Sequence, residues 1–72
     1  MKYGVVLFHT TSAVMRAEKL LLEKGCVIKL LPTPRQFSSD CGIALRFDWT
    51  QCEQVKSILD AASVEIDAIH PM

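Results

Sequence analysis

The order of hydrophobic and polar residues along the chain predicts four strands and two helices. Residues 3–8 are rich in β-branched and aromatic side chains, which is typical of a strand. Residues 13–24 instead repeat apolar side chains every three or four positions, as an amphipathic helix does. The predicted order is a strand over residues 3–8, a helix over 13–24, strands over 26–31 and 43–47, a helix over 52–62, and a strand over 64–69.

Residues with known preferences for the ends of helices and strands mark these boundaries. The segment His9–Ser12 holds several residue types that cap the start of a helix, and Gly25 is suited to the left-handed position that ends one. Pro32 and Pro34 stop the second strand, because proline has no N–H to donate to a neighbouring strand. The segment Asp48–Glu53 offers two overlapping capping boxes for the second helix.

The predicted order of elements, βαββαβ, defines the fold class. It indicates an α+β protein of ferredoxin-like architecture, with a four-stranded antiparallel sheet and two helices on one face. Right-handed crossovers make the first two strands parallel and place the third strand between them. The start of the first helix and the loop between strands two and three then lie at the same end of the sheet.

Composition and charge narrow the range of functions. The chain has 72 residues, 50% of them hydrophobic, so we expect a single domain over residues 1–72. A formal net charge of zero disfavours a nucleic acid partner, and no apolar run approaches the roughly 20 residues of a membrane span. Three cysteines are an odd number that cannot all pair within one chain. We therefore expect a cytoplasmic protein with reduced thiols.

The second face of the sheet is predicted to need a cover. Helices on one side leave the other side open, yet the first strand is apolar on both sides, with Val5 and Leu7 on one and Val6 and Phe8 on the other. An exposed apolar sheet face is most simply covered by the same face of another copy. The pattern therefore predicts a homodimer that forms through the open sheet face.

The connection between the second and third strands is longer than a hairpin needs. It runs over eleven residues from Pro32 to Gly42, whereas hairpin loops commonly have about 2–5. A long loop in a small domain is often functional. Cys41 lies at the end of this loop, and Gly42 after it would allow another backbone to approach closely. Cys41 is therefore the cysteine most in need of a functional explanation.

Two segments carry a family resemblance that covers nearly the whole chain. PTPRQFSSDCGIALRF, from Pro32, and FHTTSAVMRAEKLL, from Phe8, resemble a small bacterial family of selenium/sulfur carrier-like proteins. The resemblance implies that Cys41 holds a persulfide or perselenide. It also implies a supporting role for the residues that match the two motifs, which are Arg35, Ser38, Ser39 and Gly42 around the cysteine and His9, Thr10 and Thr11 upstream.

The chemistry of a carrier fits the predicted surroundings of Cys41. The thiolate must attack the persulfide of a donor protein of desulfurase or lyase type, and an acceptor must then reach the loaded atom. The positive end of the first helix, His9 and Arg35 are expected at this end of the sheet and favour a thiolate, while Asp40 opposes it. Such a protein is a covalent carrier rather than a turnover enzyme, and no cofactor is required.

Each of these residues also has a purely structural interpretation. Cys41 has the same parity as Ile43 and Leu45, so it could be a small buried core residue. Cys26 and Cys52 are interpreted as core residues, and His70 as part of a solvated tail. The other structural alternatives are a turn role for His9, Ser38 and Ser39 and an ion pair between Arg35 and Asp40.

Two further function classes stay open, and a metal site is disfavoured. The spacing of the three cysteines and two histidines matches no zinc pattern, so no metal ligands are predicted. A non-catalytic module could instead bind a small anion or an amino acid carboxylate at the Thr10–Ser12 helix start with Arg35. The loop could also serve as a contact surface in a regulatory or protein-interaction module.

Overall fold

A computed structural model describes residues 2–37 and 41–72 of the chain. Within these residues the protein is α+β, with four strands, two α-helices and a short 3₁₀ turn between the third strand and the second helix. The elements are β1 (Tyr3–Leu7), α1 (Thr11–Glu23), β2 (Ile28–Pro32), β3 (Ile43–Asp48), the 3₁₀ turn (Trp49–Gln51), α2 (Cys52–Ala61) and β4 (Ala68–Pro71). The predicted α+β class is confirmed.

The strands form one antiparallel sheet in the order β2-β3-β1-β4. β3 lies between β1 and β2, as the handedness of the crossovers predicts. In the centre of the sheet Val6 of β1 is opposite Leu45 on one side and Ile69 on the other. The two edge strands, β2 and β4, each end in a proline, Pro32 and Pro71.

Both helices pack against the same face of the sheet. Side chains from α1, α2 and the central strands form one continuous cluster, which we call the helix-side core. Its fully or almost fully buried members are Val6, Phe8, Val14, Ala17, Leu21, Cys26, Cys41, Leu45, Phe47, Cys52, Val55, Leu59 and Val64. In the part of the chain that the structure describes, no helix is long and apolar enough to cross a membrane.

Gly4 allows aromatic rings to lie directly on β1 within this core. It is opposite Phe47, and a Cβ atom at Gly4 would come within 2.5 Å of the Phe47 ring and 2.6 Å of the Trp49 ring. These two rings are themselves packed with centroids 5.9 Å apart. The absence of a side chain at Gly4 therefore makes room for the pair.

The helix boundaries agree in part with the predicted caps. Thr10 precedes α1, and its hydroxyl accepts a hydrogen bond from the Ala13 N–H at 3.2 Å. Gly25 has φ = 78°, the left-handed conformation expected after a helix. The Asp48 side chain caps the 3₁₀ turn rather than α2, because it accepts from the backbone N–H of Thr50. No side chain caps α2, whose N-cap is Gln51.

The last strand begins four residues later than predicted. The alternation of apolar and polar side chains predicts that residues 64–67 belong to the strand, but β4 is Ala68–Pro71. The Val64 N–H instead donates to the Leu59 carbonyl and closes the end of α2, after a left-handed Ser63. Val64 and Ile66 pack in the helix-side core from this turn. Their alternation reflects burial beneath α2 and not pairing within the sheet.

The second face of the sheet is covered by part of the same chain. Val5, Leu7 and Ala44 are buried there, with Phe37 and Ala68 packed against them. We call these five residues the second-face cluster. Phe37 comes from the long loop between β2 and β3 and thus supplies part of the cover that the sequence pattern assigned to another copy. Pairing of two chains through this face stays a prediction.

The interpretation of His70 as a solvated tail residue is wrong. His70 belongs to β4, where it is opposite Val5, and it is half-buried. The Phe37 ring stacks on it, with centroids 4.6 Å apart and planes 5° from parallel. Elsewhere on this side of the sheet the Arg46 guanidinium lies 4.2 Å from the centre of the Tyr3 ring.

Candidate functional site

Cys41 is buried at the end of the long loop, two residues before β3. Only 5% of its surface is exposed, and it belongs to the helix-side core together with Leu45 and Phe47. Cys41 is therefore buried, as its shared parity with Ile43 and Leu45 predicts. The contacts of the Cys41 thiol distinguish a functional residue from a purely structural core residue.

The start of α1 lies directly against Cys41. The Sγ atom of Cys41 is 3.9 Å from the Oγ1 atom of Thr11, the first residue of α1. Either atom can be the donor in this contact. The unpaired N–H groups at the start of a helix carry partial positive charge, which favours a negative charge nearby. The predicted juxtaposition of Cys41 with the first helix is confirmed at this contact.

Thr33 fixes the backbone at Cys41. Its hydroxyl donates to the Cys41 carbonyl at 2.8 Å, and its backbone N–H donates to the Gly42 carbonyl at 3.0 Å. These bonds join the two ends of the loop directly after β2 and directly before β3. Thr33 is not among the site residues predicted from the sequence, although a threonine between two prolines at the end of a strand is a signal for such a role.

The other predicted site residues are exposed, cap the start of α1 or lie outside the described residues. His9 and Arg35 are exposed, and Arg35 lies in a turn closed by a hydrogen bond from the Phe37 N–H to the Pro34 carbonyl at 3.0 Å. The Thr10 hydroxyl oxygen serves the cap of α1. Ser38 and Ser39, together with Asp40, lie outside the described residues, so their predicted roles stay predictions.

Among the residues that the structure describes, none approaches Gly42 so closely that a glycine is required. It is exposed, and within the described residues no atom lies within 4 Å of the position that a Cβ would occupy. The role of Gly42 in permitting a close backbone approach stays a prediction. Any part it plays beside Cys41 comes from its backbone, whose carbonyl accepts from Thr33.

The other two cysteines belong to the opposite end of the sheet. Cys26 follows α1, and its N–H donates to the Leu21 carbonyl at 3.0 Å. Burial raises the pKa of the Cys26 thiol, because a thiolate there would lose its hydration. Cys52 is the first residue of α2. The two segments are joined by a hydrogen bond from the Val27 N–H to the Gln51 side chain.

None of the three cysteines, all within the described residues, forms a disulfide. Residues 2–37 and 41–72 also contain no group of three or more His, Cys, Asp or Glu side chains that could hold a metal ion. The three cysteines are therefore separate thiols.

The fold and the site define a small α+β protein with a buried cysteine beneath the start of its first helix. Residues 3–71 match the family model described as "Putative Se/S carrier protein-like". The chain belongs to this family, and the resemblance found in its two motifs is confirmed. No curated protein and no solved structure gives a significant match to the chain.

Proposed function

We propose that this protein carries sulfur or selenium as a persulfide or perselenide on Cys41. The observation that supports this most directly is the position of the Cys41 Sγ atom, 3.9 Å from the Thr11 hydroxyl at the start of α1. Family membership over residues 3–71 supports the same role. The protein acts in this proposal as a covalent carrier and not as a turnover enzyme.

The loading step exchanges one sulfur–sulfur bond for another. The Cys41 thiolate attacks the outer sulfur of a donor persulfide, R–S–SH, and a new bond forms between Sγ and that sulfur. The donor S–S bond breaks, and its electron pair leaves with the donor as the thiolate R–S⁻. Cys41 then holds –S–SH, so no oxidant or reductant is consumed. A donor R–S–SeH gives –S–SeH by the same exchange.

The surroundings of Cys41 suit both the empty and the loaded state. The thiolate before transfer and the persulfide anion after it are both negative, and the positive end of α1 stabilises negative charge near Thr11. Burial of Cys41 shields the loaded sulfur from other thiols, which would otherwise remove it by exchange. Because Cys41 is only 5% exposed, transfer requires local movement that makes the Sγ atom accessible to a donor.

The partners in this proposal are a donor of desulfurase or lyase type and an acceptor that removes the sulfur or selenium. We place the exchange in the cytoplasm, where thiols stay reduced. The order of elements and the strand order β2-β3-β1-β4 support assignment of the fold as ferredoxin-like.

Intact mass spectrometry tests the assignment of Cys41. The protein is incubated with a cysteine desulfurase and cysteine, or with a selenocysteine lyase and selenocysteine, under exclusion of oxygen. We expect an added mass of one sulfur or one selenium atom that disappears in Cys41→Ala. The matched variants Cys26→Ala and Cys52→Ala, also in buried positions, should keep the added mass.

Two results of this experiment contradict the proposal. One is an adduct that persists in Cys41→Ala and disappears in Cys26→Ala or Cys52→Ala. The other is the absence of any adduct while the same donors load a known acceptor. Circular dichroism of each variant shows that a lost adduct does not come from a lost fold.

The Thr11 hydroxyl gives a finer test of the site. Thr11→Val keeps the shape of the side chain but removes the group that contacts Sγ. A hydrogen bond to a charged group contributes about 1.5–3 kcal/mol, so loading should slow by roughly tenfold or more. Thr11→Ser keeps the hydroxyl and should load at nearly the wild-type rate. Equal rates for the Val and Ser variants would show that the hydroxyl takes no part.

The alternative of a small-anion binding module is less well supported by the geometry. Of the hydroxyls proposed for it, that of Thr11 contacts Cys41, and that of Thr10 accepts the capping bond of α1, which leaves its O–H as the group that could donate to an anion. Calorimetric titration with phosphate and with free amino acids separates the two functions. Saturable binding that persists after alkylation of Cys41 would favour the alternative.

We also propose that two copies pair through the second face of the sheet. Leu31, Tyr3 and Arg46 remain partly exposed there, beside the buried second-face cluster. A second copy would remove this surface from water. Light scattering at micromolar concentration should give the mass of a dimer, and a strictly monomeric mass contradicts the pairing.

A further inference from the structure

The paired part of β2 and β3 ends just before it reaches Cys41. The last residues in the register of the two strands are Pro32 and Ile43, which lie opposite each other. One further backbone bond follows, from the Thr33 N–H to the Gly42 carbonyl at 3.0 Å. Cys41 is one residue beyond this bond, so strand pairing alone does not fix its backbone.

The side chain of Thr33 extends the attachment to Cys41. Its hydroxyl donates to the Cys41 carbonyl at 2.8 Å, which is a typical length for an O–H···O hydrogen bond. The bond is partly buried, so water competes with it less than it would at the surface. Thr33 thus holds Cys41 through its side chain and Gly42 through its backbone, and both bonds join residues that the structure describes.

The two prolines beside Thr33 keep its hydroxyl in place. Proline fixes its own φ at about −65°, and a residue that precedes a proline is largely restricted to extended backbone. Thr33 lies between Pro32 and Pro34, and Pro32 is also paired within the sheet. The backbone around Thr33 therefore has few other conformations, and little conformational freedom is lost when the hydroxyl bonds to Cys41.

The backbone of Cys41 determines where its thiol can lie. The Sγ atom is two bonds from the Cα atom, so a fixed backbone leaves only the χ1 torsion, which has a few staggered positions. Sγ lies 3.9 Å from the Thr11 hydroxyl, and Cys41 is almost completely buried. Displacement of the Cys41 backbone would remove Sγ from this contact. The Thr33 bond therefore acts on the thiol without touching it.

We propose that Thr33 is the positioning residue of the Cys41 thiol: by holding the Cys41 carbonyl, its hydroxyl keeps Sγ in contact with Thr11 at the start of α1. This inference deepens the proposed carrier role of Cys41, and its functional meaning rests on that role. Thr33 takes no part in the exchange itself. It holds the thiol, and the persulfide after loading, where the positive end of α1 stabilises negative charge.

Alkylation kinetics of the three cysteines test this role. Each protein is treated with iodoacetamide, and the rate at each cysteine is followed by mass spectrometry of the digested chain. Thr33→Val keeps the backbone N–H and the shape of the side chain but removes the hydroxyl. We expect Cys41 to react about two- to tenfold faster, because losing one neutral hydrogen bond makes local exposure of the thiol more frequent by this factor. Cys26 and Cys52 should react at unchanged rates.

Two further variants separate the hydroxyl from other effects of substitution. Thr33→Ser restores the hydroxyl and should return Cys41 to the slow wild-type rate. Thr50→Val is the matched control, since it also removes a threonine hydroxyl bond, the one of 2.7 Å to Asp48. This bond lies outside the candidate site, so Cys41 should react in Thr50→Val as it does in the wild type.

NMR spectroscopy reports on the proposed bond directly. The Thr33 hydroxyl bonds to the carbonyl oxygen of Cys41, so the resonance of that carbonyl carbon should shift in Thr33→Val. In Thr33→Ser it should stay close to its wild-type position. A residue that only fills space would give the opposite order, because valine matches the volume of threonine better than serine does.

The possible results divide clearly. Faster alkylation at Cys41 alone, reversed in Thr33→Ser, supports the inference. An unchanged Cys41 rate in Thr33→Val, equal acceleration at all three cysteines, or a serine variant as fast as the valine variant overturns it. If Thr33→Val does not fold, Thr33→Ala replaces it with the same expected result. Alkylation involves no sulfur donor, so failure of the mass experiment would remove the carrier function and leave the alkylation result in place.

Discussion

The two faces of the sheet are covered by different kinds of structure. On the first face, α1 and α2 bring a continuous set of buried side chains onto the central strands. On the second, Phe37 of the long loop covers Val5, Leu7 and Ala44 and stacks on His70. Burial of β1 is thus nearly complete on both sides, but one cover consists of two regular helices and the other, among the described residues, includes the ring of the loop residue Phe37.

This difference indicates which parts of the structure can move at a low cost in free energy. Displacing a helix exposes several apolar side chains at once, whereas displacing Phe37 exposes a small cluster and leaves the helices in place. Cys41 belongs to the firmly covered face, but its loop is attached to the other face through Phe37. The comparison therefore predicts that substitutions on the first face cost more stability than matched substitutions on the second.

The largest effect is expected for Leu45→Ala on the first face. Leu45 is fully buried beneath the helices, whose packing cannot close readily around a lost side chain. We expect a loss of about 3–5 kcal/mol in the free energy of unfolding, measured by urea denaturation. The exposed control Leu22→Ala should change it by less than about 0.5 kcal/mol.

Leu7→Ala is the matched change on the second face. Leu7 is buried almost as fully as Leu45, yet its cover includes the Phe37 ring of the loop. We expect a smaller loss, about 2–3 kcal/mol, because the loop can settle into the space. Equal losses for the two leucine variants would show that the second face is as rigid as the first.

Gly4→Ala tests how closely the first face is packed. The added Cβ would lie 2.5 Å from the Phe47 ring and 2.6 Å from the Trp49 ring, so both rings must move. Overpacking of this kind costs about 1–2 kcal/mol in the same denaturation assay. At Gly42, where no described atom lies within 4 Å of the added Cβ, the alanine variant should be nearly neutral.

The smallest effect is expected at Asp48, at the rim of the sheet. Hydrogen bonds from the Thr50 hydroxyl and then from the Thr50 backbone N–H lower the pKa of Asp48 below its usual 3.8. A lowered pKa in the folded state gives stability that is present above about pH 4 and is lost as the pH falls through the folded value. Denaturation midpoints of wild type and Asp48→Asn should therefore differ at pH 6 and converge in more acidic solution. A difference that does not shrink would contradict this assignment.

Much of the fold follows from local patterns in the sequence. Hydrophobic periodicity predicts both helices and the first three strands to within one or two residues at most ends, since these elements have one clearly apolar side. It fails at β4 because Val64 and Ile66 are buried by the turn after α2. Apolar side chains at every second position are expected in a strand, but they also occur in a segment outside the sheet that buries every second side chain.

Only part of the candidate site could be predicted from the sequence. Cys41 and its position beside the start of α1 follow from loop length, topology and the family motif, and the contact with Thr11 agrees. Phe37 and His70 could not be found in this way. Their stack joins a loop to a strand 33 positions away in the sequence, and such a pair has no local periodic signal.

The prolines at the ends of β2 and β4 have a consequence for the protein in concentrated solution. Both strands are sheet edges, whose free N–H and C=O groups could bind a strand of another copy and start fibril growth. Pro32 and Pro71 cannot donate to such a strand, and β4 has only four residues. Growth by strand addition is therefore hindered at both edges, which helps a domain with a 50% hydrophobic composition to resist aggregation.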